Sequence, residues 1–124
     1  MGKSYWLLKT EPEEWSWDQQ VKSGKKGAEW NGVRNFQASK NLKNMKINDR
    51  CFFYHTGDIK SIVGVAKVIK EAFLDKSDKS RKFVSVRIRA LYPLKQHVSL
   101  NEIKKNKLFR DFYLVKQSRL SVMN

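Results

Sequence analysis

A chain of 124 residues with a net charge of +14 and a pI near 10.0 has room for one hydrophobic core and not for two. Its composition, 40% hydrophobic and 31% charged, is that of an ordinary globular domain; no apolar run approaches the roughly 20 residues of a membrane span, and the opening Met1-Gly2-Lys3-Ser4-Tyr5-Trp6 holds no apolar signal segment. One cysteine, Cys51, excludes an internal disulfide and fits a reducing compartment, so a cytoplasmic or nucleoid-associated protein is expected.

In chain order, Tyr5–Lys9 is a short apolar run suited to a buried strand, broken by Thr10-Glu11-Pro12. Ser16-Trp17-Asp18-Gln19 matches a capping box, with Ser16 as N-cap and Gln19 at N3, and Gly24 is the expected C′ residue of that helix. Lys22–Glu29 reads as an exposed loop. A second helix is expected over Phe36–Met45, with Ala38, Leu42 and Met45 on one face. Cys51–His55 reads as a strand ending in the turn Thr56-Gly57-Asp58. Ser61–Ile69 is another strand, where Gly64 marks a bulge or a close backbone approach. Leu74–Lys82 is a charged loop, and Phe83–Leu91 alternates as a strand that Tyr92-Pro93 should end. Ser99-Leu100-Asn101-Glu102 is a second capping box, opening a helix to about Asn106, and Phe112–Val115 is a candidate last strand. The sum is an α+β domain whose curved sheet is expected to close as a small β-barrel with short peripheral helices.

The charge is unevenly spread. Residues 1–18 carry two bases and four acids; the other 106 residues carry 24 bases and eight acids. Such an excess attracts phosphate backbones. A solvated lysine-rich surface has the same composition, and lysine holds less geometric information than arginine.

Catalytic constellations are thin. His55, His97 and one cysteine make no metal cluster by spacing, and no glycine-rich phosphate loop or nucleophile elbow occurs. Glu11, Glu13 and Glu14 are better read as acids favouring a helix N-terminus than as Mg²⁺ ligands. The expectation is a protein that is not an enzyme and needs no cofactor.

The aromatics say more. Of four tryptophans, Trp6 sits in an apolar run, and Trp15 and Trp17 should point in different directions, one inward and one out. Trp30 lies in the polar stretch Glu29-Trp30-Asn31-Gly32-Val33-Arg34-Asn35, read as a loop between helices. A flat ring beside a cation and an amide has the parts of a base-binding site, or it plugs a secondary core under the loop. Tyr54 and His55 end a strand where they face a ligand or serve as a core tyrosine and a structural hydrogen-bonding histidine. Gln117-Ser118-Arg119-Leu120-Ser121-Val122 suits hydrogen bonding to a base or phosphate, or is a polar turn.

These segments together resemble the EVE family. Tyr5-Trp6-Leu7-Leu8-Lys9-Thr10-Glu11-Pro12 is similar to its entry motif, and Trp30-Asn31-Gly32-Val33-Arg34-Asn35-Phe36-Gln37-Ala38 to its central motif. Lys46-Ile47-Asn48-Asp49 with Phe53-Tyr54-His55-Thr56-Gly57, then Ile62-Val63-Gly64-Val65-Ala66, then Gln117–Val122, follow in the family's order. The resemblance implies a PUA-like fold related to YTH and ASCH domains. It further implies binding of nucleic acid, DNA or RNA, with one modified base, such as a 5-methylcytosine derivative, held in an aromatic cage. Trp30 becomes the cage residue, with Tyr54 and His55 near it, and Lys9, Thr10, Arg34, Asn35, Ser118 and Arg119 become pocket or phosphate contacts. Family members continue past Leu120-Ser121-Val122-Met123 into a proline-containing turn and a helix; this sequence ends at Asn124, so the family's C-terminal helix is expected to be lacking. The competing expectations are a general RNA-binding accessory without modified-base selectivity, and a nucleotide-directed enzyme using Glu11–Glu14 or His55.

Overall fold

The computed structural model describes residues 5–57, 59–99 and 122–123. Strand β1 (Tyr5–Thr10) leads to helix α1 (Trp17–Lys22), a 3₁₀ turn (Gly24–Lys26), strand β2 (Ala28–Trp30) and helix α2 (Phe36–Asn44). Strands β3 (Arg50–His55), β4 (Ser61–Leu74) and β5 (Val84–Ser99) follow, and β6 (Val122–Met123) comes last. They form one six-stranded mixed sheet in the order β2-β5-β4-β3-β1-β6. β1 and β3 run parallel, from Tyr5↔Arg50 to Thr10↔His55, and both helices and β2 lie in the connection between them. The other pairings are antiparallel. The architecture is α+β, as the alternation of strands and short helices required. Among the described residues the ladder is open, ending at β2 and β6, so the expected closure into a barrel is not seen.

The sheet is nonetheless strongly curled. β2 and β3 stand three places apart, which in a flat sheet is about 14 Å. Yet the rings of Trp30 on β2 and Phe53 on β3 meet edge to face with centroids 5.6 Å apart. Phe53, fully buried, also takes the edges of Trp17 at 5.2 Å and His55 at 5.6 Å. Around these rings pack Leu7, Leu8, Ile62, Val68, Val86 and Ile88, all at or below 1% exposure, with Ala38, Leu42 and Met45 from the α2 region.

Local chemistry explains the elements. Ser16 caps α1 in a full capping box: its Oγ accepts from the Gln19 amide at 3.1 Å, and Gln19 Oε1 accepts from the Ser16 amide at 2.8 Å. Gly24, just past the cap, has φ +64°, the left-handed C′ geometry glycine adopts without strain. Asn35 caps α2 through Oδ1 to the Ala38 amide, 2.9 Å. Buried polar groups are tied in as well: Asp49 accepts from Trp6 Nε1 at 3.0 Å, and Gln20 bridges Trp15 Nε1 (2.9 Å) and the Ile88 carbonyl (3.1 Å).

Three expectations need correction. Lys22–Glu29 is not a simple loop: it holds the 3₁₀ turn and the start of β2, because Ala28–Trp30 finds a partner in Val86–Ile88. Trp30 therefore ends a strand and does not sit in a loop. β5 does not stop at Tyr92-Pro93 but runs to Ser99; the register slips between Ile62 and Gly64, whose partners are Val98 and Pro93, and such an irregularity tolerates a residue without an amide hydrogen. The helix expected after Ser99 and the strand at Phe112–Val115 lie outside the described residues.

Gly64 fulfils both parts of its expectation. The register shifts beside it, and a Cβ there would overlap the six-membered ring of the Trp17 indole. The absence of a side chain lets α1 close down on the sheet. Gly64→Ala is expected to push Trp17 off Phe53 and cost about 1–3 kcal/mol, as overpacking usually does, read as a lowered Tm in thermal unfolding; an unchanged Tm would show that the indole moves aside freely.

Candidate nucleic-acid interface

The curled sheet brings β1 and β2, four places apart in strand order, to the two sides of one cavity of about 600 Å³. Lys9 and Thr10 from the end of β1, and Glu14 and Trp15 from the turn before α1, form one side. Ala28, Glu29 and Trp30 of β2, Asn31–Val33 after it, and Arg87 of β5 form the other. The volume lies in the range of small-molecule pockets.

Trp30 joins the two readings of its sequence context: it is 7% exposed and packs on Phe53, while lining the cavity. Its ring is thus held rigid by the core and forms part of the pocket wall. Trp15 is the half-buried member of its pair, fixed by its indole N–H to Gln20, and Trp17 is the buried one. Arg87 anchors the strand pair β2–β5: its guanidinium donates to the carbonyls of Lys26 (3.0 Å) and Gly27 (3.3 Å) and to Glu29 Oε1 (3.4 Å). Burial pushes the Lys9 ammonium below its ordinary pKa. Glu29 offers an acceptor for an exocyclic amino group, Asn31 an amide, and Lys9 and Arg87 positive charge, so a flat polar ring could be stacked and read at its edge.

Of the remaining expected site residues, Thr10 is also at the cavity, while Tyr54, His55, Asn35 and Arg34 are placed elsewhere. Thr10 lines the cavity with Lys9, its Oγ1 donating to the Glu11 carbonyl at 3.3 Å. Tyr54 and His55 are buried at 3% and 7% and are not among the lining residues. Burial raises the Tyr54 phenol. His55 Nε2 accepts from the Trp17 amide at 3.1 Å, which is the structural hydrogen bond that was one of its two readings. Asn35 is spent on the α2 cap. Arg34 is a clamp: it pairs with Asp75 at 3.0 Å and donates to Ser77 Oγ at 3.0 Å. Ser118 and Arg119 lie outside the described residues. Sequence reasoning passed over Glu29 and Arg87 as site residues. Their only signal is a cross-strand pair of opposite charge, Glu29↔Arg87, which is invisible until β2 and β5 are known to be neighbours.

Arg34 belongs to a second network. Asp75 Oδ2 accepts from the Gly32 amide (2.8 Å) and Arg34 (3.0 Å), and its Oδ1 from Ser77. Burial acts to raise the Asp75 carboxyl, but the bonds from Ser77, Gly32 and Arg34 outweigh it and hold the group below its usual value. Asp78 is lowered too, first by the Ser80 hydroxyl and then, against burial, by the amides of Phe83, Ser80 and Lys82. The cavity wall at Gly32 is thereby tied to the β4–β5 connection.

The chain is an α+β domain whose curled mixed sheet opens, between β1 and β2, on a cavity lined by aromatic side chains together with two basic and two acidic ones. The chain belongs to the EVE domain family, whose model matches residues 4–124. It is similar to rat thymocyte nuclear protein 1, 31% identical over 125 residues that cover 82% of this chain and 55% of the rat protein. The chain spans only about a third to two thirds of the length of the curated relatives it matches, 36% for the mouse protein and 65% for the zebrafish one. Among solved structures, a Rhodopseudomonas palustris protein determined by NMR is 48% identical, with a TM-score of 0.88 over 97% of this chain and 83% of that one. Human thymocyte nuclear protein 1, solved in complex with DNA containing 5-methylcytosine, superposes with a TM-score of 0.82 at 28% identity, over 98% of this chain and 90% of that one.

The two lowered carboxyls set an acid limit. A carboxyl depressed in the folded state stabilises above its unfolded pKa, and that contribution is lost as pH falls through the folded value. Tm is expected to hold above about pH 4, the ordinary aspartate value, and to fall below it. Asp75→Asn should be less stable at neutral pH and converge on the parent protein in acid; parallel curves would exclude Asp75 as the titrating group.

Proposed function

We propose that this PUA-like domain is a non-enzymatic reader of nucleic acid that captures one modified base in the cavity between β1 and β2. The observation that carries the reading is the Trp30 ring, held edge-on against Phe53 and at the same time lining a cavity of about 600 Å³ with Lys9, Glu29, Asn31 and Arg87. A base that leaves its stack or comes from a single strand finds there an aromatic wall and edge-reading polar groups. The human relative's complex with 5-methylcytosine-containing DNA supports nucleic acid as the ligand and a 5-substituted cytosine as the base. The net charge of +14 supplies long-range attraction to phosphates, and the nucleoid or the cytoplasm is the proposed place of action.

The test is fluorescence titration with single- and double-stranded DNA and RNA, each with and without 5-methylcytosine, at fixed salt. Selective, saturable binding of one modified strand is expected. Trp30→Ala should weaken it by roughly 5- to 150-fold, the equivalent of 1–3 kcal/mol of stacking. Because Trp30 also packs in the core, Lys9→Ala is the paired variant: it should weaken all strands alike and reduce the salt slope by about one. Equal binding across the panel, erased by moderate salt, would replace the reader with a general RNA-binding accessory.

A further inference from the structure

Phe36 is 68% exposed, more than any other large hydrophobic residue described, and it stands at the first position of α2. Its ring is not isolated. It stacks on Phe83 with centroids 4.9 Å apart and planes inclined by 29°. Phe83 is itself 8% exposed, and its amide donates to Asp78 Oδ2 at 2.8 Å, so the lower ring is fixed. The Arg34 guanidinium lies 5.5 Å from the Phe83 centroid and is held by Asp75 and Ser77. A large apolar ring left in water on a rigid support costs solvation without adding to the core, and it is the form a base-stacking platform takes.

The surroundings carry the complementary charge. The β4–β5 connection repeats the triplet Asp-Lys-Ser, at Asp75-Lys76-Ser77 and Asp78-Lys79-Ser80. In each copy the aspartate is buried and accepts from the amide and hydroxyl of its serine, while the lysine is exposed. The acids are thus consumed in these bonds and, for Asp75, in those from Gly32 and Arg34, and Lys76, Lys79, Arg81 and Lys82 remain on the surface of the connection. The platform also adjoins the cavity. Val33 lines the cavity, and three residues of chain place Phe36 no further than about 11 Å from it. Asp75 ties Gly32 on the cavity wall to Arg34, whose guanidinium lies over the Phe83 ring.

We propose that Phe36, supported by Phe83 and Arg34, is a second stacking site that takes an unpaired nucleobase flanking the captured one, with the lysines of residues 76–82 on its phosphates. This rests on the reading of the cavity as a base pocket and adds to it a footprint longer than one nucleotide. The occupant is a single-stranded segment, because a base within an intact duplex has both faces covered.

The test compares two probes by competition and fluorescence anisotropy: 5-methyl-2′-deoxycytidine monophosphate, and a short single-stranded DNA carrying the same base at its centre. Phe36→Ala should weaken the strand by about fivefold to tenfold, the lower part of the range for one stacked base, and leave the mononucleotide unchanged. Phe36→Tyr should restore the strand affinity. Because the side chain is exposed, the Tm of Phe36→Ala should match the parent protein. Equal strand affinity in Phe36→Ala would overturn the platform and leave the pocket reading intact. So would an equal loss for both probes, which would mean that Phe36 acts through the cavity. Failure of the parent protein to bind either probe would remove the pocket reading and the platform together.

Discussion

The edge-on contact of Trp30 with Phe53 is the constraint on which the rest of the molecule depends. It can form only if the sheet curls until its first and fourth strands face each other. That curl creates the cavity between β1 and β2, which share no backbone pairing. Phe53 has no exposure and receives three rings, so its position is over-determined by packing. A pocket wall built on such a residue needs little ordering when a ligand arrives, which lowers the entropic cost of binding.

The same contact shows how core and site share atoms here. Trp17 closes over Gly64 and covers one side of Phe53; its backbone amide is accepted by His55. The residues with the most chemical promise by type, His55 and Arg34, are used to hold this frame. The cavity lining is left to groups at strand ends and in β2, among them Lys9, Thr10, Glu29, Trp30 and Asn31.

Charge is organised with equal economy. The acids of the β4–β5 connection are buried in hydrogen bonds to their own turn and, for Asp75, to Gly32 and Arg34, while its bases stay in water. The net positive charge is therefore matched, around Phe83, by a surface on which the compensating carboxylates are hidden. Long-range attraction falls off over a Debye length of about 8–10 Å, so the field close to this connection is set by the local arrangement more than by the total charge.

The sequence by itself determined the local elements, because their signals are short-range. The capping box at Ser16, the left-handed Gly24, and the face formed by Ala38, Leu42 and Met45 all follow from backbone sterics and periodicity over a few residues. It also marked Trp30 and carried the family resemblance through ordered motifs. Tertiary structure alone decided the rest. That Ala28–Trp30 is a strand depends on a partner some sixty residues later, and that β5 passes Pro93 depends on a slip opposite Gly64. Glu29 and Arg87 became site residues, and Arg34 and His55 became supports, only when the sheet curled. Which side chains share a cavity depends on curvature accumulated over several strands, and no local pattern encodes that distance.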